Sequence, residues 1–135
     1  MAEAEGIPPT ASVVVPGLSL NYVGGHCYGY SGAKAIPNSN TNLLKFTSGA
    51  GYIKAKVIFS PRDSAGDDYR AFIDLNGQEV FGAFYTNTAL AYPYGTVPIR
   101  LIIPPYTEVE IYMINVSTSS GYTWFASLTG RVYDA

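Results

Sequence analysis

Apolar and polar residues alternate through much of this chain with the period of two expected of extended strands. Tyr52 to Ser60 is the clearest case, with Ile53, Ala55, Val57 and Phe59 on one face and Lys54 and Lys56 on the other. Tyr69 to Leu75 repeats the pattern with Ala71, Ile73 and Leu75 inward. Asn76-Gly77 follows, the dipeptide favoured in two-residue hairpin turns, and Gln78 to Tyr85 returns as the partner strand. Val97 to Ile103 is a strand stopped by Pro104-Pro105. Thr107 to Val116 turns Val109, Ile111 and Met113 inward and Glu108, Glu110 and Tyr112 outward. Tyr122 to Tyr133 closes the chain with Trp124, Ala126, Leu128 and Val132 on its core face.

Before Leu43 the pattern is weaker. Residues 1–17 contain Pro8, Pro9 and Pro16, which exclude a helix through most of the segment, so an extended N-terminal arm is expected. Val13, Val14 and Val15 are its one short strand-like run, and an arm of this kind docks on its own domain or on a neighbour. Residues 18–135 form the single domain, in which Leu18 to Val23 alternates briefly. Gly24 to Gly32 reads as a glycine/tyrosine loop, and residues 36–42 as turn chemistry. The sum is eight or nine evenly spaced strands with no helical period. This predicts an all-β, antiparallel β-sandwich of jelly-roll type with about eight strands. An immunoglobulin-like sandwich is the alternative, but its Cys…Trp…Cys signature is missing.

Composition narrows function. The chain has 135 residues, enough for one domain. Charged residues are 13% of it, against about 25% in an average protein. Its hydrophobic content of 47% excludes a disordered chain. A net charge of −2 argues against nucleic acid as a partner. The lone Cys27 excludes an internal disulfide framework, and one Cys with one His is too few for a structural zinc site. The acidic start at Glu3 and Glu5 lacks the basic residues and apolar run of a secretory signal, and no stretch reaches the roughly 20 apolar residues of a membrane span. Synthesis in a cytoplasm, without a visible export signal or membrane insertion, is therefore expected. Asn115-Val116-Ser117 fits the glycosylation pattern but carries little weight without export.

Candidate chemistry is sparse. His26 and Cys27 are adjacent, so on extended backbone they point apart and do not form a nucleophile–base pair. Asp63, Asp67 and Asp68 share a polar loop but lack the spacing of a calcium-binding loop. Glu108 and Glu110 stand on one strand face within glycosidase range, with no sign of a cleft. No catalytic residue, cofactor or metal is expected. The tyrosines are more informative, being twelve of the aromatic residues. Tyr28, Tyr30, Tyr92, Tyr94, Tyr106 and Tyr122 sit in or beside turns, where large rings supply interface area at low entropic cost. Ile58, Phe72, Ile102, Ile114 and Phe125 take outward strand positions and call for a cover, either the arm or neighbouring subunits.

Arg70-Ala71-Phe72-Ile73-Asp74-Leu75-Asn76-Gly77-Gln78-Glu79-Val80 and Pro98-Ile99-Arg100-Leu101-Ile102-Ile103-Pro104-Pro105-Tyr106-Thr107-Glu108-Val109-Glu110-Ile111 carry a resemblance. A hairpin, then a strand ended by two prolines before a strongly alternating one, resembles small jelly-roll proteins of virions: capsid decoration or cement proteins and phage fibre heads. The resemblance covers the chain from Tyr52 to Tyr133. It implies a homotrimer that clamps capsid subunits or touches a host receptor; the N-terminal arm with Val13 to Val15 suits the clamping role, and no functional residue carries over one by one. The competing expectation is a carbohydrate-binding module that stacks sugars on Tyr92, Tyr94, Tyr122 and Trp124.

Overall fold

A computed structural model of the chain describes residues 12–13, 20–61, 68–85, 97–117 and 123–133. These residues contain no helix. Their strands are β1 (Ser12–Val13), β2 (Asn21–Val23), β3 (His26–Tyr30), β4 (Lys34–Ala35), β5 (Thr41–Thr47), β6 (Tyr52–Pro61), β7 (Tyr69–Leu75), β8 (Gln78–Tyr85), β9 (Ile99–Ile103), β10 (Glu108–Asn115) and β11 (Thr123–Tyr133). They form two antiparallel sheets packed as a β-sandwich. Sheet A runs β9-β6-β11-β3-β2, with β4 also paired to β11; sheet B runs β1-β5-β10-β7-β8.

The core lies where the alternation placed it. Ile53, Val57 and Phe59 of β6, Ala71 and Ile73 of β7, Val109, Ile111 and Met113 of β10, and Trp124 and Ala126 of β11 are completely buried. An aromatic cluster joins the sheets at one end. Trp124 lies 5.2 Å from Tyr69 and stacks on Tyr85 at 5.4 Å, and Tyr85 meets Phe59 at 6.3 Å. Each such side chain contributes about 1.5–3 kcal/mol by leaving water. The hairpin is as expected: Asn76 (φ 51°) and Gly77 (φ 78°) both take the left-handed conformation that a two-residue turn of this hand requires. Asn76 also ties the turn to β10, its Oδ1 accepting from the Glu108 amide at 2.9 Å.

Three local expectations change. The glycine/tyrosine segment 24–32 is mostly a strand: β3 pairs with β11 from Tyr30↔Ser127 to Arg131↔His26. Its buried–exposed alternation puts Cys27 and Gly29 inside and His26, Tyr28 and Tyr30 outside. The turn expected over 36–42 is shorter, because Thr41 and Asn42 already belong to β5. Within β5 a bulge opposite Ile111/Tyr112 inserts Leu43, so Leu43 and Leu44 are both buried despite being neighbours. In the arm, Ser12–Val13 pairs with Thr47 and Phe46 at the edge of sheet B.

Candidate functional site

Of the residues singled out for partner binding, Val13 pairs with Phe46 at the edge of sheet B, and the others divide into three groups. Val14, Val15, Tyr92, Tyr94 and Tyr122 lie outside the described residues, as do Asp63 and Asp67. Tyr28 and Tyr30 stand two apart on β3, both exposed on the outer face of sheet A, so they are strand residues rather than loop residues. Tyr106 belongs to the turn after Pro104-Pro105, away from that face. It is 72% exposed and holds φ at 52°, a left-handed conformation that a bulky residue adopts only at a cost. Hydrogen bonds impose it: the Tyr106 amide donates to the Gly49 carbonyl at 2.9 Å, and Ser48 Oγ donates to the Pro104 carbonyl at 2.7 Å.

The outer face of sheet A carries two rows that cross five strands in register. The first runs Ile102, Lys54, Arg131, His26, Val23, and the second Arg100, Lys56, Thr129, Tyr28, Asn21. Four cations thus meet on one face, and among the described residues no carboxylate joins them there. Beside the first row Tyr133 stacks on Tyr52 at 5.2 Å, with Lys54 Nζ 5.3 Å and Arg131 Cζ 5.8 Å from the centre of its ring. Tyr30 packs edge-on to Phe125 at 5.5 Å.

Sheet B shows the opposite sign. Lys45, Glu110, Asp74 and Glu79 are successive partners across four strands. Lys45 Nζ lies 3.8 Å from Glu110, and the Tyr112 hydroxyl donates to Asp74 Oδ2 at 3.1 Å. Burial, then that hydrogen bond and the charges of Asp74, Glu79 and Glu110, push the Tyr112 phenol up to about 12. Tyr112 also stacks on Phe72 at 5.1 Å. The net charge of −2 therefore hides a molecule with a basic face and an acidic one. The cations of the basic face come from segments far apart in sequence, so only the strand pairing reveals them as a group.

The remaining candidates resolve simply. Cys27 is completely buried, and that burial pushes its thiol up to about 11, so at neutral pH it is an un-ionised core side chain. His26 faces the other way, into solvent. Trp124 is enclosed between Tyr69 and Tyr85 and presents no ring for a sugar. Asn115 is fully buried and its Oδ1 accepts from the Ser117 amide at 2.9 Å, so the glycosylation pattern is inaccessible in the folded chain. Of the outward apolar residues, Ile102 is 56% exposed, whereas Ile58, Phe72, Ile114 and Phe125 are half-buried. No family model matches this chain, and no curated protein matches it.

Proposed function

We propose that the chain is a virion structural protein, a jelly-roll subunit that associates with itself and decorates a capsid. The observation that carries this reading is the strand order. Two four-strand runs, β3-β11-β6-β9 and β5-β10-β7-β8, make up the body of the two sheets. Among these eight strands the chain passes from one run to the other at every connection except the β7–β8 hairpin. Eight strands interleaved in this way support a double Greek key, the jelly roll of many capsid proteins.

The surface supports the self-association. Val80 and Phe84 on sheet B, each 50% exposed, and Tyr106 in the turn after β9 leave large apolar side chains in solvent outside the rows of the basic face. Apolar and aromatic exposure of this kind, in a chain poor in charge, is the composition of interface cores. The proposed role is mechanical: each subunit adds buried area across a joint of the particle. The test is mass in solution by light scattering, followed by co-sedimentation with capsids. Deleting residues 1–17 should leave the circular dichroism of the domain intact and abolish particle binding. Unchanged binding by the truncated chain removes the arm from the account.

A further inference from the structure

We propose that the outer face of sheet A binds an acidic polysaccharide, a sugar chain bearing sulfate or carboxylate groups. The inference goes beyond the assembly reading, because the site is complete on one subunit.

It begins with an electrostatic cost. Lys54 lies directly opposite Arg131, and Lys56 directly opposite Arg100. Like charges at facing positions of antiparallel strands destabilise the sheet, since their side chains start only about 5 Å apart. No carboxylate among the described residues shares this face to relieve the repulsion. The four cations occupy an area about 10 Å across three strands and about 7 Å along them. A ligand with anionic groups a few ångströms apart neutralises them together.

The rest of the face selects the kind of anion. The second row continues from its cations into Thr129, Tyr28 and Asn21: a hydroxyl, a phenol and an amide. These groups donate and accept hydrogen bonds as sugar hydroxyls require. Tyr28, nearly half exposed, adds flat apolar surface. A DNA duplex fits less well, since it carries a charge about every 1.7 Å and is read by elements that enter a groove, which an open sheet face does not do. The acidic face of a second copy also fits less well. There the carboxylates are interleaved with cations, Lys45 beside Glu110 and Arg70 on the same side of the sheet, and one oxygen of Asp74 already accepts from Tyr112.

The test is calorimetric titration of the full chain at low salt with a heparin-derived oligosaccharide. An uncharged dextran oligosaccharide of the same length and a single-stranded oligonucleotide of equal charge serve as comparisons. The heparin fragment should bind, weaken steeply with added salt, and exceed both comparisons by tenfold or more. Lys56→Gln/Arg100→Gln should weaken it at least tenfold, and Tyr28→Ala several-fold. The melting temperature of the double variant should be unchanged or higher, because a repulsive pair is removed; this separates a lost site from a lost fold. Absence of heparin binding, full binding by the double variant, or equal binding of the oligonucleotide would overturn the proposal. Loss of oligomer mass in the double variant would also overturn it, by assigning the face to a second copy. A monomer in light scattering leaves it standing.

Discussion

Gly130→Ala tests how tightly three neighbouring strands of sheet A pack on their inner side. Gly130 sits near the end of β11 between Cys27 of β3 and Ala55 of β6. A Cβ built there lies 2.6 Å from Ile53 Cγ2, 3.0 Å from Cys27 Sγ and 3.1 Å from the Lys54 carbonyl oxygen. Carbon atoms prefer about 3.5–4.0 Å, so the new methyl overlaps Ile53 by roughly 1 Å. Ile53 is fully buried and branched at Cβ, which leaves it no free rotamer, and the carbonyl is fixed backbone. Overpacking of this kind costs about 1–3 kcal/mol. Replacing glycine in a strand returns about 0.5–1 kcal/mol of backbone entropy. The middle of both ranges leaves an expected net loss of about 1 kcal/mol, or roughly 3–5 °C in melting temperature for a domain of this size. Urea titration with an unchanged slope should report it. Adding Cys27→Ala removes one of the three contacts, so the double variant should lose about 0.5 kcal/mol less than the two single losses added together. Wild-type or greater stability in Gly130→Ala would refute the packing argument.

Three further outcomes are expected. Tyr106→Gly should gain about 0.5–1 kcal/mol, because glycine takes the left-handed conformation without the penalty of about 1–2 kcal/mol that a side chain carries; a lower melting temperature would contradict this. Cys27 should resist thiol reagents in the native chain and react on unfolding, and rapid labelling of native protein would contradict its burial. Folded Cys27 (9.0 to about 11) and Tyr112 (10.0 to about 12) keep protons that the unfolded chain loses first. Their contribution to stability is thus complete below about pH 9 and lost as pH rises through 11 to 12, and a urea midpoint that climbs over that interval would contradict the assignment.

The strands legible in the sequence are those whose pattern is local. Tyr52 to Ser60 and Thr107 to Val116 each bury one face, so a period of two writes their orientation into consecutive residues. Asn76-Gly77 carries its turn in its own backbone preferences. What was not legible depends on distant partners. His26 to Tyr30 has two small or polar residues among its aromatics and little strand signal of its own, yet it becomes a strand because β11 supplies its hydrogen bonds. Leu43 looked like the start of a regular strand because a bulge shows only in the register against β10. Tyr28 and Tyr30 were picked out as exposed rings, which they are, but from a strand. The basic face escaped for the same reason: Arg100 and Lys56 become neighbours only through β9–β6 pairing, and Lys54 and Arg131 only through β6–β11. A charge total over the whole chain cannot register that separation.

The central claim is that the exposed apolar surface outside the basic face, Val80 and Phe84 of sheet B foremost, is built to be covered by other subunits. Light scattering of the full chain at micromolar concentration tests it most directly. The account predicts a whole-number multiple of the 14.5 kDa subunit mass, stable on dilution. A mass of 14.5 kDa across the same range would contradict it.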